Sequence, residues 1–347
     1  MALTVDIQKQ LGSFHLQVRF SAQQECLALL GGSGCGKSVT LRCIAGILKP
    51  DEGHIEIDGQ VLYDSAAKIC LPPQKRNVGY LFQQYALFPN MTVRQNIAVA
   101  VRDRSSRNAA VTEKLRQFRL EDVADKRPRQ LSGGQQQRTT LARILVSQPK
   151  VILLDEPFSA LDSYLKYQLE LELHETLEQF PGCVLWVSHD RGEVWRNCRR
   201  VCVIHDGTSQ PVVTMQELFQ QPGTPSAARL SGCKNFSDAI PGGSSVQLPQ
   251  WGLTLTCGSP VPADITSVGI YSSKIRPALS GDANSFLCQI VRVIDDLQNT
   301  IVLLRPVGAA QDAPLLRMEI GKSAWEALPP SQQITVSIAP SDLLLLK

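Results

Sequence analysis

Two glycine-rich segments of the sequence could each bind phosphate, "GGSGCGKS" at residues 31–38 and "LSGGQQQR" at residues 131–138. The first fits the pattern G-x-x-x-x-G-K-[ST], follows the apolar run "CLALL" and precedes apolar residues at helical spacing. Glycines let the backbone turn its N–H groups toward an anion. We expect Lys37 to reach the β- and γ-phosphates of a nucleotide and the Ser38 hydroxyl to ligate Mg²⁺. The residues predicted to line the nucleotide here are Gly31, Gly32, Ser33, Gly34, Cys35, Gly36, Lys37, Ser38 and Val39.

Acidic residues end a second apolar run, "VILLDEP", which is typical of a buried parallel strand. Asp155 stands at the carboxyl end of this strand, where a carboxylate can hold the water shell of Mg²⁺. Glu156 follows directly and points to the other side, so we expect it to orient and partly deprotonate an attacking water. The alternative for Glu156 is a loop cap. In "WVSHD", His189 follows another apolar strand and could bond the γ-phosphate or the water, although a histidine at a strand end is often structural.

The second glycine-rich loop raises the question of why one chain needs two. Phosphoryl transfer requires N–H groups or positive charge on the far side of the γ-phosphate. A serine and two glycines that open the helix "QQQRTTLARIL" would offer backbone N–H groups and a helix dipole. If these groups came from another copy of the chain, two nucleotides would lie between two subunits.

The composition indicates an ordinary globular protein of more than one domain. The chain has 347 residues, of which 43% are hydrophobic and 19% are charged, enough apolar content to form a core. The net charge of +3 gives no electrostatic argument for nucleic acid. No apolar run is long enough to span a membrane. The ten cysteines include no CxxC pair, so reduced thiols are favoured over disulfides or a metal site.

Secondary-structure patterns divide the chain near residue 230. Before that point, strands alternate with helices, which predicts a mostly parallel α/β sheet with a helical subdomain and an antiparallel β part over residues 1–230. After a stretch rich in Pro, Gly and Ser, residues 231–347 contain short β-rich runs separated by turn signals. They predict an all-β, barrel-like domain of one or two small barrels.

The motifs "GGSGCGKS", "LSGGQ", "VILLDEP", "SALD" and "SHD", in this order, resemble the nucleotide-binding subunit of an ABC transporter over roughly residues 1–222. The resemblance implies a P-loop ATPase that takes ATP and Mg²⁺ and forms a head-to-tail dimer. In that dimer, Ser132 and Gly134 contact the nucleotide bound by the other copy's Lys37. The signature residues implied to bind nucleotide are Ser132, Gly133, Gly134 and Gln135.

The same resemblance implies further roles. "LFQQ" matches the glutamine loop, so Gln83 would sense Mg²⁺ and the water, and Asp162 of "SALD" would couple the two sites. Phe14 is the candidate for stacking on adenine, in a segment that departs from the family's usual tyrosine. "QYALFPNMTV", residues 84–93, is similar to the surface of importer ATPases that receives a helix of the membrane permease. The alternative is that these residues pack as a small extension of the hydrophobic core.

The tail resembles the oxyanion-binding type of barrel that follows importer ATPases. With "GCKNFS" at 232–237 and "SVGIYSSKIRPA" at 267–278, the chain is most similar to molybdate and sulfate importer ATPases. The implied function is ATP-driven uptake of molybdate or a related oxyanion, at the cytoplasmic face of the membrane, with a permease and indirectly a solute-binding protein. Sulfate, iron, polyamine or sugar import and a soluble non-transport ABC ATPase are the alternatives. Nucleic acid is not an expected partner.

Overall fold

The computed structural model describes residues 2–82, 84–159 and 163–347; for residues 163–165 only the backbone is described. The chain divides into two compact units, residues 1–215 and 216–347. The division thus lies N-terminal to residue 230, the boundary predicted from composition. Among the described helices, none is long and apolar enough to cross a bilayer.

A five-stranded parallel layer lies at the centre of the first unit, in the order β10-β3-β9-β8-β7. Its strands are β3 (Cys26–Leu30), β7 (Val78–Leu81), β8 (Val151–Asp155), β9 (Cys183–Val187) and β10 (Arg200–His205). Every residue of β8 and β9 is buried, as expected for parallel strands covered on both faces. The carboxyl ends of these strands lie at one edge, so the loops that follow them meet there.

An antiparallel layer extends the same sheet. It consists of β1 (Leu3–Leu11), β2 (Phe14–Ala22), β4 (Glu52–Ile57), β5 (Gln60–Asp64), β6 (Ile69–Cys70), β11 (Thr208–Ser209) and β12 (Val213–Thr214). The predicted β4–β5 hairpin is present, and its turn residues Asp58 and Gly59 both have positive φ, 49° and 76°. One hydrophobic core runs beneath both layers and includes Val5, Leu29 and Leu153.

Helices cover the sheet and form the helical part of this unit. They are α1 (Lys37–Ala45), α2 (Val93–Ala98), α3 (Arg107–Gln117), α4 (Gly133–Val146), α5 (Ser163–Glu178) and α6 (Arg191–Asn197). α7 (Met215–Gln220) spans the division between the units. The starts of α1, α4 and α6 bear on function, because each begins close to a predicted site residue.

The second unit is built mainly of antiparallel strands. They are β13 (Asn235–Asp238), β14 (Ile240–Gly242), β15 (Ser245–Leu248), β16 (Leu253–Thr256), β17 (Ser267–Ile270), β18 (Ile275–Pro277), β19 (Ser285–Asp295), β20 (Asn299–Pro306), β21 (Leu316–Gly321), β22 (Gln333–Ile338) and β23 (Leu343–Leu346). Helices α8 (Pro225–Ser231) and α9 (Lys322–Glu326) accompany them. The strands form three sheets, β13-β17-β23, β14-β15-β16 and β18-β22-β19-β20-β21. All three contribute to one hydrophobic core, which includes Val246, Val268 and Val336. The predicted all-β, barrel-like fold is confirmed.

Candidate nucleotide-binding site

The loop between β3 and α1 has the conformation of a phosphate cradle. Gly34 and Gly36 have φ of 78° and 107°, and a Cβ on Gly36 would lie 2.4 Å from Leu16 Cδ1. Glycine is therefore required at position 36 by both backbone angle and space. Lys37 is buried, and its Nζ donates to the carbonyl oxygens of Gly31 and Gly32 at 2.8 Å each. The ammonium thus lies inside the loop, where a phosphate oxygen could replace those two acceptors.

The proposed Mg²⁺ ligands meet beside this loop. Ser38 Oγ donates to Asp155 Oδ1 at 2.8 Å, although the two residues are far apart in sequence. The other carboxylate oxygen of Asp155 accepts from the Tyr80 hydroxyl at 2.8 Å. A hydroxyl and a carboxylate are the oxygen donors that Mg²⁺ accepts, so the pair fits the ion. Tyr80 comes from the neighbouring strand β7, and burial together with Asp155 raises the pKa of this phenol, which keeps it a donor.

Glu156 and His189 face each other at the same edge of the sheet. Glu156 has a φ of 49°, which is strained for a residue with a side chain. Its N–H donates to the carbonyl of Val187 at 2.9 Å, which holds the turn after β8 against the end of β9. The His189 Nδ1 atom lies 3.5 Å from Glu156 Oε1, and the imidazole is largely exposed. The two side chains can therefore approach one water or one phosphate oxygen together.

A network that sequence reasoning missed includes both chain neighbours of His189, Ser188 and Asp190. Glu193, in the first turn of α6, accepts from Trp186 Nε1 at 2.8 Å and from Ser188 Oγ at 3.1 Å. Lys166 of α5 pairs with Asp190 at 2.5 Å and with Glu193 at 3.3 Å. Burial raises the pKa of the Glu193 carboxyl, while its donors oppose that shift. Asp190 also accepts from the N–H groups of Gly192 and Glu193, so both neighbours of His189 are fixed.

Phe14 lies where a nucleobase partner is expected. Its ring borders the phosphate loop, since a Cβ on Gly36 would come within 3.1 Å of Phe14 Cζ. It lines an open cavity of about 530 Å³ together with residues 32–35, His205 and Asp206. The sequence prediction for Phe14 remains a prediction, and the cavity gives it a physical basis: an aromatic face beside the phosphate loop.

The second glycine-rich loop, "LSGGQ" at residues 131–135, is called the signature loop from here on. It lies at the start of α4, whereas the phosphate loop lies between β3 and α1. Ser132 is the N-cap of α4 and forms a capping box with Gln135, at 3.3 and 3.1 Å. Ser132 is exposed, whereas Gly134 is buried. Within the described ranges, no hydrogen bond joins residues 132–135 to residues 31–38. The structure therefore does not bring Ser132 and Lys37 of one chain into a shared hydrogen-bonded site.

The loop of residues 84–93 is organised by one buried amide. Asn96 of α2 is fully buried; its Nδ2 lies 3.1–3.2 Å from the carbonyl oxygens of Phe88, Met91 and Thr92, which share its two N–H donors, and its Oδ1 accepts from the Phe88 N–H at 2.9 Å. The Phe88 ring remains 46% exposed. The loop thus presents an aromatic side chain on a fixed backbone, as a docking surface requires. Gln83 and Asp162, the other residues predicted by resemblance, lie outside the described residues.

Comparisons with known proteins agree with this geometry. Residues 16–159 match the ABC transporter family model. A solved dimer of the ATP-binding cassette MJ0796 with ADP and Pi superposes with a TM-score of 0.52 and 29% identity, covering 62% of this chain and 99% of that one. The first unit has the fold of an ABC ATPase. This fold, called the cassette below, explains why the phosphate loop, the signature loop and the two acids after β8 follow in this order along the chain.

Two similar proteins carry the names of import proteins. The spermidine/putrescine import ATP-binding protein PotA of Nitratidesulfovibrio vulgaris is 42% identical over 236 residues, covering 66% of this chain and 61% of the relative. The molybdenum import ATP-binding protein ModC of Paramagnetospirillum magneticum is 35% identical over 223 residues, covering 64% and 61%. The chain thus matches about three fifths of the length of these relatives.

Proposed function

We propose that the protein is the ATP-hydrolysing subunit of an ABC importer. The observation that carries this is the convergence of Lys37, Ser38, Asp155, Glu156 and His189 at one edge of the parallel layer. These groups supply a phosphate ligand, two oxygen donors for Mg²⁺, a general base and a second polar contact. When bound, Mg²⁺ would neutralise charge on the β- and γ-phosphates, held by Ser38 and, through water, by Asp155.

Each residue of the site then has a separate role in hydrolysis. Lys37 exchanges its two carbonyl acceptors for phosphate oxygens, and the N–H groups of residues 32–36 bind the phosphates between them. Glu156 accepts a proton from the attacking water, and its strained backbone directs the carboxylate to that position. His189 holds the water or the γ-phosphate from the other side. Gln83 is proposed to join the Mg²⁺ ligands.

A second copy of the chain is the proposed partner at the nucleotide. Ser132 is exposed at the start of α4, and Gly133 and Gly134 contribute their N–H groups to the first turn of this helix, whose positive end attracts anions. In a head-to-tail dimer these groups would reach the γ-phosphate held by the other copy's Lys37. Asp162 is proposed to couple the two sites. The dimer would lie at the cytoplasmic face of the membrane, with residues 84–93 against a permease that receives solute from a solute-binding protein.

A small charged solute is the proposed cargo, and a polyamine is favoured over the molybdate predicted from the sequence. The relative with the higher identity imports spermidine and putrescine. In addition, two neighbouring cations of the tail form partly exposed ion pairs: Lys274 pairs with Asp342 at 3.1 Å and Arg276 with Asp282 at 3.3 Å. Neither cation is therefore available to an oxyanion without breaking an ion pair.

Replacing Glu156 with Gln tests the ATPase proposal. The amide keeps the size and hydrogen bonding of the side chain but cannot take the proton, so hydrolysis should fall by about 10²–10⁴-fold. ATP binding should persist, and a dimer should accumulate with Mg-ATP in size-exclusion chromatography. Turnover close to the wild-type rate would contradict the role of Glu156, and loss of ATP binding would show a folding defect instead.

Melting curves of the full chain test the proposal that the cargo is not molybdate. If the second unit senses molybdate, molybdate at a hundredfold excess over its dissociation constant should stabilise that unit by about 2.7 kcal/mol, and sulfate should act less. We expect no shift with molybdate or tungstate because Lys274 and Arg276 are paired. A clear shift of the melting temperature with molybdate would instead support an oxyanion as the cargo and argue against a polyamine.

A further inference from the structure

Two cysteines of the cassette lie in direct contact on the side away from the nucleotide. The Sγ atoms of Cys26 and Cys198 are 3.2 Å apart, although the residues are separated by 172 positions. Cys26 is the first residue of β3, and Cys198 follows the last residue of α6. All ten cysteines are described and are free thiols, and no other two of them are in hydrogen-bond contact.

The backbone around the pair suits a disulfide. In the parallel register of β3 and β10, Leu27 is opposite Arg200. Extending that register by one residue sets Arg199 opposite Cys26, and Cys198 becomes its diagonal neighbour in extended conformation, with φ of −122°. Strand spacing of ~4.8 Å and a rise of ~3.3 Å give a Cα–Cα distance of about 6 Å, inside the range that disulfides occupy. The two cysteines are therefore close enough for a disulfide to join them.

The two thiols differ in access. Cys26 is partly exposed and lines an open cavity of about 530 Å³, whose other lining residues include Gln24, His174 and Arg199. Cys198 is buried behind it. Arg199 offers donor groups to the carboxylates of a small reagent in this cavity, whereas the His174 Nδ1 atom already lies 3.1 Å from Asn197 Oδ1. Glu178 also lines the cavity and pairs with His174 at 3.2 Å.

We propose that Cys26 and Cys198 form a reversible dithiol site that reacts with low-molecular-weight disulfides such as glutathione disulfide. Cys26 is the entry thiol because its sulfur faces the cavity, and Cys198 is the resolving thiol because it touches Cys26 from behind. The site is independent of nucleotide binding, since it lies at the amino-terminal end of β3 while the phosphate loop follows its carboxyl end.

The reaction proceeds in two exchange steps. The Cys26 thiolate attacks one sulfur of glutathione disulfide, forming a mixed disulfide and releasing one glutathione thiolate. Cys198 then gives up its proton to the glutathione thiolate released in the first step, and the Cys198 thiolate attacks the Cys26 sulfur; this releases the second glutathione as a thiolate and leaves the internal disulfide. Burial raises the pKa of the Cys198 thiol well above its usual value, and Cys26, Glu193 and Glu25 add to that rise. Cys198 is therefore a poor first nucleophile and reacts once Cys26 has been modified.

The test is to treat the full chain with glutathione disulfide, alkylate the remaining thiols, and map the linkage by mass spectrometry. A Cys70→Ser background removes the exposed thiol of β6, which would form its own adduct. In that background we expect an internal 26–198 disulfide that dithiothreitol reverses. Cys198→Ser should instead retain a glutathione adduct on Cys26, and Cys26→Ser should show neither product.

A measurement on the unsubstituted chain does not depend on any variant folding. Phenylarsine oxide, which bridges two neighbouring thiols, should bind and block the 26–198 link against later oxidation, whereas a monothiol reagent at Cys70 should not block it. Two results would overturn the proposal: a folded chain whose Cys26 and Cys198 both stay alkylatable in excess glutathione disulfide, or a dominant link from Cys26 to Cys183.

Discussion

Glu193 should matter to catalysis through His189, which it does not touch. Its carboxylate accepts from Trp186 Nε1 and Ser188 Oγ and faces Lys166 at 3.3 Å. A Glu193→Gln side chain has one acceptor oxygen and one donor nitrogen. Whichever way the amide turns, its N–H groups face either the indole N–H or the Ser188 and Lys166 donors, so at least one buried donor loses its acceptor. That loss costs about 1–3 kcal/mol of folding free energy.

The kinetic effect follows from the position of the lost bond. Ser188 precedes His189 directly, and a displacement of about 1 Å in a catalytic group can cost on the order of 10²-fold in rate. We expect kcat for ATP hydrolysis to fall by about 10- to 100-fold. KM for ATP should change little, because the phosphate loop and Phe14 are untouched. Phosphate release measured over a range of ATP concentrations separates the two constants.

Glu172→Gln is the matched control. Glu172 lies on α5, as Lys166 does, and forms a bidentate pair with Arg138 of α4, at 2.8 and 2.9 Å; among the described residues it makes no hydrogen bond to the loop around His189. Its pair is partly exposed, so the substitution should cost at most about 1 kcal/mol and leave kcat unchanged. If Glu193→Gln kept kcat within about twofold of wild type, or if Glu172→Gln lowered it equally, the positioning role would be refuted.

Two further predictions concern stability. His54 bonds Asp64 at 2.9 Å and Glu56 at 3.2 Å, and these two carboxylates raise the pKa of His54 above 6.5. The contribution of His54 to the free energy of unfolding is therefore fully present below pH 6.5 and is lost as the pH rises through the raised pKa. His54→Gln should abolish this part of the pH dependence of the urea midpoint, worth about 1 kcal/mol or less for partly exposed groups; an unchanged pH profile would contradict it. Gln137 is 1% exposed with both amide atoms unpaired beside a cavity of about 100 Å³. Gln137→Met should therefore stabilise the chain by about 1–3 kcal/mol, and destabilisation would mean that the amide has a bound partner.

The parts of the site that the sequence predicts are those within one short segment. The phosphate loop and the acids after β8 depend on spacing over a few residues, so their pattern is visible before folding. Tyr80, Lys166 and Glu193 were missed because their partners come from elsewhere in the chain. Tyr80 meets Asp155 across 75 positions, and Lys166 meets Asp190 across 24. Only the strand order β7-β8 and the packing of α5 on α6 make these pairs.

The same limit applies to the second unit. Short β-rich runs separated by turn signals predicted its strands and its barrel-like fold, because strand and turn preferences are local properties of the sequence. The pairing was beyond that pattern: β17 lies between β13 and β23, one strand from each end of the unit. Likewise, the left-handed φ of Glu156 has no signal in "VILLDEP", since a glutamate is not a residue that favours it.

Helix α4 offers a physical route between the two surfaces that an importer must link. Its N-cap, Ser132, is the exposed group proposed to reach the other copy's nucleotide. Further along the same helix, Arg143 Nη2 donates to the Tyr85 carbonyl at 3.2 Å, and the Arg143 guanidinium stacks over Phe88 at 5.4 Å, whereas the Thr140 hydroxyl lies nearer to the Gln136 carbonyl, at 2.9 Å. A helix of 14 residues is about 21 Å long and moves as a rigid body. Because Arg143 bonds the loop at Tyr85 and Phe88 to this helix, a shift of that loop by the proposed permease would also shift Ser132 relative to the nucleotide that is proposed to face it.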